Sequence, residues 1–282
     1  MSTIWKTSSM SNSDILLKYN LGEDVTAFST TRHGGVSTGA YTAMNINPYC
    51  GDNLQHVAAN RTILANELGI ADDKVILPHQ VHGISHCRID DSFFSLSEEK
   101  KGEILEGKDI IMTDLSGVCI GVSTADCIPI LLHDKPHHVI AAVHAGWRGT
   151  KDCAVVAALA AMKTYYHTDP SQVKAVIGPG ISFSSFEVGD EVYEQFKESN
   201  FPMDIFAGKR PNMNAQEFET KPVKWHIDLP YINRHELLTE NVRKENILMS
   251  DICTYQHHDD FFSARRLGIS SGRIFTGIML TD

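Results

Sequence analysis

The sequence Ile-Pro-Ile-Leu-Leu-His-Asp at 128–134, followed after a polar turn by Val-Ile-Ala-Ala-Val at 139–143, decides the predicted fold. Both runs are too short for helices of ordinary length and are rich in branched residues, so they predict two strands joined by a turn. Cys127 precedes the first strand and His144 follows the second, and an antiparallel pairing would bring both side chains to the same sheet edge. A thiolate beside an imidazole is either a nucleophile with its base or part of a zinc site.

The composition is that of an ordinary globular protein and argues against some partners. Apolar residues make up 42% and charged residues 21% of the 282 residues, which allows one large domain or two small ones with a sizeable core. The formal net charge is -10, and no run of Lys or Arg is longer than two. This balance argues against a surface for nucleic acid or for an anionic membrane.

Cysteine usage and the N-terminal sequence predict a cytoplasmic protein. The six cysteines are scattered, without a CxxC pair or a dense framework, a pattern typical of reduced thiols in a cytosol. Residues 1–20 lack the apolar core of a signal peptide, and no apolar run is long enough to span a bilayer. We expect residues 1–22 to form an N-terminal leader with one edge strand, and residues 23–282 to form a single catalytic domain.

Strands and helices alternate irregularly on both sides of the two central strands. This mixture is typical of one α/β or α+β domain. Two segments are predicted to be exposed: 91–107, charged and partly helical, and 200–224, a long surface loop. The periodicity predicts strands at 24–30, 74–77, 84–90, 109–113, 118–124, 173–177, 225–229 and 273–280, and helices at 56–68, 150–165, 186–198 and 230–243.

His82, Cys127 and His144 all stand at junctions between predicted strands and loops, where a rigid scaffold often holds functional side chains. Two imidazoles and one thiolate form a recognised catalytic zinc shell with a fourth position open. The spacing leaves two alternatives open. The residues are a structural set of buried Cys and His side chains, or Cys127 and a histidine form a metal-free catalytic dyad.

Charged residues near this set are candidates for anion binding and proton transfer. Arg148 follows His144 in a loop that leads into a predicted helix, and its guanidinium could hold phosphate. Asp126 could orient a ligand or move a proton, or it could cap a turn. Arg32, in a glycine-rich loop, and Arg265, beside two phenylalanines, are further candidates for substrate or phosphate binding.

Motifs along nearly the whole chain resemble one known family. They are Thr-Arg-His-Gly-Gly-Val-Ser at 31–37, Gln-Val-His-Gly at 80–83, Thr-Ala-Asp-Cys-Ile-Pro at 124–129, His-Ala-Gly-Trp-Arg-Gly-Thr at 144–150, and Phe-Ser-Ala-Arg-Arg at 262–266. The chain is similar to the purine nucleoside phosphorylase family, also labelled polyphenol oxidase, laccase-domain protein or peptidoglycan editing factor. The resemblance implies an α+β single domain with mixed sheets in a layered α-β-β-α sandwich.

The resemblance also implies chemistry for the three junction residues. The metal triad of the family falls on His82, Cys127 and His144, and zinc is the implied metal, with copper attributed to some members. The implied reactions are phosphorolysis of adenosine, inosine and methylthioadenosine, and deamination of adenosine, with nucleoside and phosphate as the only partners of a monomer or homodimer. The chain departs from the family at Lys108-Asp109-Ile110 and in the length of 91–107, which puts the substrate preference in doubt.

Two other functions remain open from the sequence. A copper-dependent, laccase-like polyphenol oxidase would need many histidine ligands, commonly paired as His-x-His, and the sequence contains no such pair. A metal-free cysteine hydrolase or amidase acting on cell-wall precursors would use Cys127 as nucleophile and His144 or His82 as base.

Overall fold

The computed structural model describes residues 14–212 and 219–281. Within them, the helices are α1 (Leu54–Leu68), α2 (Glu98–Leu105), α3 (Trp147–Lys151), α4 (Ala154–Tyr166), α5 (Asp190–Glu198), α6 (Met203–Phe206), α7 (Leu229–Thr239) and α8 (Ala264–Leu267). The strands are β1 (Leu16–Tyr19), β2 (Val25–Thr30), β3 (Val75–Ile76), β4 (His86–Ile89), β5 (Ile110–Thr113), β6 (Cys119–Thr124), β7 (Ile128–Asp134), β8 (Val139–Ala145), β9 (Lys174–Ile177), β10 (Glu187–Val188), β11 (Ala207–Pro211), β12 (Val223–Ile227), β13 (Ile247–Met249) and β14 (Ile274–Leu280).

Two large mixed sheets carry the fold. The strand order is β1-β2-β14-β6-β3 in the first and β13-β9-β7-β8-β5-β4 in the second, and β10-β12-β11 form a smaller sheet. The pairs β3–β6, β13–β9 and β4–β5 are parallel, and the other pairs within the two large sheets are antiparallel. The central strands β7 and β8 are fully buried, which explains why their sequences read as continuous apolar runs.

Side-chain alternation along β7 shows how the layers stack. Leu131 belongs to the core between the two large sheets, together with Ile120 of β6. Its neighbours Ile130 and Leu132 lie on the other face, in a core shared with residues of α4 and α7. Helix α1 covers the outer face of the five-stranded sheet through Leu64. The layers therefore follow the order α-β-β-α, which confirms the predicted α+β single-domain sandwich.

The prediction for segment 200–224 is wrong, because this segment is not simply a long surface loop. It contains α6 and the strand β11, which pairs antiparallel with β12 from Ala207–Ile227 to Pro211–Val223. β11 lies at a sheet edge with its last three residues exposed, so no apolar alternation marks it in the sequence. Its backbone pairing and the Lys209 ammonium, 5.0 Å from the Trp225 ring centroid, hold it in place.

All four predicted helices have different bounds. The helix predicted at 56–68 begins two residues earlier, at Leu54. The helix predicted at 150–165 begins at Trp147 and is divided into α3 and α4 at Cys153, whose φ of 61° is left-handed. The helix predicted at 186–198 begins only at Asp190, because Glu187–Val188 pairs with β12 as β10. The helix predicted at 230–243 ends at Thr239.

The N-terminal region is described from residue 14 onward, and residues 1–13 lie outside the described residues. The edge strand predicted there is β1, and both Leu17 within it and Leu21 after it are buried. The domain boundary at residue 22 stays a prediction. None of the described helices combines the length and the apolar composition that crossing a membrane requires.

Candidate metal centre

Three side chains from separate parts of the chain meet at one edge of the six-stranded sheet. The ligand atoms of His82, Cys127 and His144 all lie within 4.8 Å of one another. His82 is exposed, Cys127 is partly buried and His144 is buried, so the cluster is accessible from one side. Two imidazole nitrogens and a sulfur are the donors that zinc binds in catalytic sites with an open fourth position. No second cluster of this kind is present in the described part of the chain.

The register of the central strands brings two of these residues together. β7 and β8 pair antiparallel, with Ile128 opposite Ala145 and Pro129 opposite His144. Cys127, one residue before β7, therefore lies beside the end of β8. The predicted meeting of Cys127 and His144 at one sheet edge is confirmed, and it follows from antiparallel pairing across a short turn.

The third residue, His82, is held by the carboxylate of Asp109, the residue directly before β5. His82 has a left-handed φ of 65°, a conformation that a non-glycine residue adopts only when its surroundings enforce it. The buried carboxylate of Asp109 accepts hydrogen bonds from the backbone N–H groups of Val81, His82 and Gly83 at 3.2, 2.9 and 2.7 Å. The same carboxylate accepts the Nδ1–H of His144 at 2.7 Å.

The cluster also polarises its own members. Burial by itself would raise the pKa of the Cys127 thiol, but the charge of His144 and hydrogen bonds from His144 and His82 outweigh it and lower that pKa to about 6. Burial would lower the pKa of His144, but the Cys127 thiolate and Asp109 outweigh it and raise that pKa to about 9. Without a metal, the chain therefore holds a thiolate–imidazolium pair near neutral pH.

The loop after β8 packs directly on the cluster. Gly146 caps α3, and a Cβ at this position would lie 2.9 Å from Sγ of Cys127 and 3.0 Å from Cδ2 of His82. Such distances are shorter than van der Waals contact, so any side chain here would push the cluster apart. The glycine is required by the close approach of three chain segments.

Asp126 lies next to Cys127, but its carboxylate binds the C-terminal part of the chain. It accepts the hydroxyl of Thr254 at 2.7 Å and the backbone N–H of Arg265 at 2.6 Å. The φ of Asp126 is 84°, a left-handed value that is unusual for a residue other than glycine. The two hydrogen bonds therefore hold the turn before β7 at a residue with unusual backbone geometry. The structure thus gives Asp126 partners that fix the position of the Cys127 loop.

The three candidate arginines are held differently. Arg148 is exposed, and its guanidinium carbon lies 4.2 Å from the Trp147 ring centroid, with no hydrogen-bond acceptor among the described residues. Arg32 donates to the carbonyl oxygens of Thr42 and His258 at 2.8 and 2.6 Å. Arg265 donates to the carbonyl oxygen of Glu187 at 3.0 Å. Arg148 therefore has the guanidinium that is most available to a ligand.

Two residues of this site, Asp109 and Gly146, were missed as functional residues in the sequence. Asp109 directly precedes the buried run Ile-Ile-Met-Thr at 110–113, where a carboxylate resembles an ordinary turn residue. Gly146 lay inside a quoted motif, but the sequence does not reveal which side chains approach it.

Comparisons with known proteins match this chain over nearly its full length. A family model described as multi-copper polyphenol oxidoreductase laccase matches residues 26–281. The purine nucleoside phosphorylase of Bacteroides thetaiotaomicron is 41% identical over 280 residues, which are 99% of each chain. Adenosine deaminase RL5, from an unknown prokaryotic organism, is 40% identical over 256 residues, covering 91% of this chain and 94% of that protein.

Solved structures share the fold. YlmD from Geobacillus stearothermophilus superposes with a TM-score of 0.83 at 28% identity, covering 95% of this chain and 100% of that chain. The YfiH protein of Bacillus licheniformis superposes with a TM-score of 0.82 at 24% identity, covering 95% of this chain and 97% of that chain. Both likenesses support the layered arrangement described above.

Proposed function

This chain belongs to the multi-copper polyphenol oxidoreductase laccase family, and from that premise we propose that it is a zinc-dependent purine nucleoside phosphorylase with adenosine deaminase activity. The resemblance predicted from the motifs is thereby confirmed. Full-length relatives named as a purine nucleoside phosphorylase and an adenosine deaminase make the chain an enzyme of this kind. The proposed substrates are adenosine, inosine and methylthioadenosine, with inorganic phosphate as the second substrate.

The observation that carries the proposal is the convergence of His82, Cys127 and His144 within 4.8 Å. We propose that these three residues are the zinc ligands, because a soft thiolate and imidazoles suit zinc. The lowered pKa of Cys127 supports this role, since a metal binds the thiolate. A zinc ion held there would supply Lewis-acid chemistry and a lowered pKa for water at its open position.

In phosphorolysis, a phosphate oxygen forms a bond to the sugar C1′ while the bond from C1′ to the purine nitrogen breaks, and the purine takes up a proton. Arg148 is the proposed phosphate ligand, because it is exposed in α3, four residues after His144, and has no hydrogen-bond acceptor among the described residues. Arg32 and Arg265 extend the proposed substrate site from the C-terminal side, where backbone carbonyls fix their direction.

Two carboxylates near the cluster, those of Asp126 and Asp109, are proposed to hold its residues in position. Asp126 is proposed to orient the site rather than to move a proton, because both of its oxygens accept hydrogen bonds that fix the Cys127 loop. Asp109 Oδ1 holds the proton of His144 at Nδ1, which leaves Nε2 directed to the cluster. The six cysteines are free thiols, which supports placing the reaction in a reducing compartment such as the cytoplasm, with a monomer or homodimer as the acting form.

The test is a nucleoside panel run on zinc-loaded protein in phosphate buffer. We expect free base and sugar 1-phosphate from inosine and adenosine, and inosine from adenosine without phosphate. In Cys127→Ser we expect both reactions to fall by about 100-fold or more, since loss of a direct ligand exceeds the 10–100-fold effect of losing an outer-shell partner. Cys50→Ser, whose thiol lies outside the cluster, is the matched control and is expected to keep full activity.

Arg148→Ala separates the phosphate site from the metal. We expect the KM for phosphate to rise about tenfold, the loss of one charge-assisted hydrogen bond, while zinc content and phosphate-independent deamination stay unchanged. Zinc-loaded wild-type protein that forms neither free base nor inosine would contradict the proposed function.

Copper-dependent polyphenol oxidation is the second candidate, and the description of the matching family model favours it. One cluster of two histidines and a cysteine binds copper readily. The described residues contain no second cluster, so a multinuclear copper centre would lack ligands there. Phenol oxidation that follows copper content, disappears in Cys127→Ser and leaves nucleosides unreacted would reverse the ranking.

A metal-free cysteine hydrolase or amidase acting on cell-wall precursors is the third candidate. The low pKa of Cys127 beside His144 favours it. Activity that survives exhaustive chelation, together with covalent trapping of Cys127 by substrate, would support this reading over the zinc enzyme.

A further inference from the structure

One buried carboxylate contacts both histidines of the cluster. Asp109 is completely buried at the start of β5. Its Oδ1 accepts the backbone N–H of His82 at 2.9 Å and the Nδ1–H of His144 at 2.7 Å. Its Oδ2 accepts the N–H groups of Val81 at 3.2 Å and Gly83 at 2.7 Å. These four bonds use the acceptor capacity of the carboxylate on two different segments.

Each set of bonds fixes a different property of a ligand. A carboxylate only accepts, so Nδ1 of His144 keeps its proton, and Nε2 is the nitrogen that can exchange its proton for a metal. On the other segment, three successive N–H groups surround the carboxylate, and this arrangement holds His82 at its left-handed φ of 65°. The backbone N–H of His144 also donates to the carbonyl oxygen of Asp109 at 2.8 Å.

We propose that Asp109 is the positioning residue that sets the proton position of His144 and the backbone direction of His82, and so joins the 81–83 segment and the end of β8 into one metal site. The inference takes one point from the proposed function, namely that zinc is the metal bound at this site. Asp109 is not assigned contact with substrate. It acts through the two histidines, and its effect is therefore measured first as metal affinity.

Substitution by asparagine removes this function for a geometric reason. An amide has one accepting oxygen and one donating NH₂ group. If the NH₂ group replaces Oδ1, it faces the Nδ1 of His144, which must then accept, so the proton moves to Nε2 and blocks that lone pair. If the NH₂ group replaces Oδ2, it faces the N–H groups of Val81 and Gly83, and the His82 loop loses its acceptor. Either orientation disturbs one ligand.

The same sheet provides a matched control. Asp134, at the far end of β7, is also completely buried and accepts the Nδ1–H of a histidine, His137, at 2.8 Å. It lies six residues beyond Ile128, about 20 Å along an extended strand. Asp134→Asn makes the same chemical change at a buried Asp–His pair of the same sheet, and its amide oxygen can still accept the His137 Nδ1–H because only one carboxylate oxygen is bonded there. Asp134 does not belong to the cluster.

The experiment compares zinc affinities of wild-type, Asp109→Asn and Asp134→Asn proteins by competition with a chromophoric chelator, at a temperature where circular dichroism shows all three folded. We expect Asp109→Asn to bind zinc about 10–100-fold more weakly, the range found for loss of an outer-shell carboxylate. We expect Asp134→Asn to match the wild type. Equal affinity in Asp109→Asn and wild type would overturn the proposal.

A measurement on the wild-type chain covers the case in which Asp109→Asn does not fold. The histidine ¹⁵N NMR spectrum of the zinc-loaded protein is expected to show the His144 proton on Nδ1 and zinc on Nε2, and a metal on Nδ1 would overturn the proposal. Weakened zinc binding in Asp109→Asn, with a wild type that leaves nucleosides unreacted, would uphold the positioning role and refute the proposed function. A wild type without measurable zinc binding would refute both.

Discussion

The two ends of the six-stranded sheet contain similar residues with different consequences. At one end, Asp109 accepts the Nδ1–H of His144 at 2.7 Å, and at the other Asp134 accepts that of His137 at 2.8 Å. Both carboxylates are completely buried. Among the residues that the structure describes, a second histidine and a cysteine approach the imidazole at the first end only. A buried Asp–His pair is therefore a structural unit that becomes a candidate site where further ligand atoms converge.

The difference arises from the loops at the strand ends. The end near Asp134 is closed by a short turn from 135 to 138, which supplies its histidine locally. The other end receives three segments: the loop with His82, the turn with Cys127, and the strand end with His144. Convergence of residues distant in sequence is costly in loop entropy, and the hydrogen bonds of Asp109 and Asp126 stabilise it.

The largest expected contrast concerns thiol reactivity in metal-free protein. The pKa of Cys127 is lowered to about 6, whereas burial raises that of Cys87, in the edge strand β4 of the same sheet, to about 12. At pH 7 we expect iodoacetamide to alkylate Cys127 about a hundredfold faster, because thiolate fraction outweighs the weaker nucleophilicity of a low-pKa thiol. Mass spectrometry of tryptic peptides measures both rates.

The pH dependence of the Cys127 alkylation rate tests the lowered pKa of this thiol. The Cys127 rate should fall as the pH drops through about 6, because the thiolate then takes up a proton. Zinc should protect Cys127 without affecting Cys87. A Cys127 rate that falls instead around the ordinary thiol value, about 8.5, would show that the two histidines do not act on this sulfur.

The next effect is steric. Gly146→Ala places a Cβ 2.9 Å from Sγ of Cys127 and 3.0 Å from Cδ2 of His82, so the ligands must separate. We expect zinc affinity to fall about tenfold, a value at the lower end of outer-shell effects. Gly102→Ala in α2 is the control, because a Cβ there has no neighbour within 4 Å. Competition with a chelator measures both, and equal affinities would contradict the tight packing of this loop.

The smallest effect is expected at the opposite end of the sheet. His137→Ala removes the Nδ1–H that Asp134 accepts and leaves a buried carboxylate unpaired. We expect a loss of about 1–2 kcal/mol in the free energy of unfolding, measured by urea denaturation. Zinc affinity and nucleoside turnover should stay at wild-type values. A change in either would show that the two ends of the sheet are coupled.

Much of the fold was predictable because its central elements are locally determined. The runs at 128–134 and 139–143 are apolar and branched, and the structure has β7 and β8 there. The helix predicted at 56–68 ends at Leu68, where Gly69 caps α1 with a left-handed φ of 70°. Strand β11 was missed because an exposed edge strand has no apolar period, and its pairing partner β12 begins only at Val223.

The part of the candidate site that was predictable is the set of residues whose side chains commonly bind metals. Cysteine and histidine at strand ends pointed to the cluster, and the strand register explains why they meet. The role of Asp109 was not predictable, because its four hydrogen bonds depend on how the 81–83 segment and the end of β8 both approach the residue before β5. Metal binding and the roles of Asp126, Arg32, Arg148 and Arg265 remain predictions.

The most direct test of the central claim is zinc X-ray absorption spectroscopy on protein loaded with one equivalent of zinc. The arrangement of His82, Cys127 and His144 predicts one sulfur at about 2.3 Å and two imidazole nitrogens at about 2.0–2.1 Å, with the sulfur absent in Cys127→Ser. A zinc shell of nitrogen and oxygen alone in the wild type, or a sulfur that persists in Cys127→Ser, would contradict it.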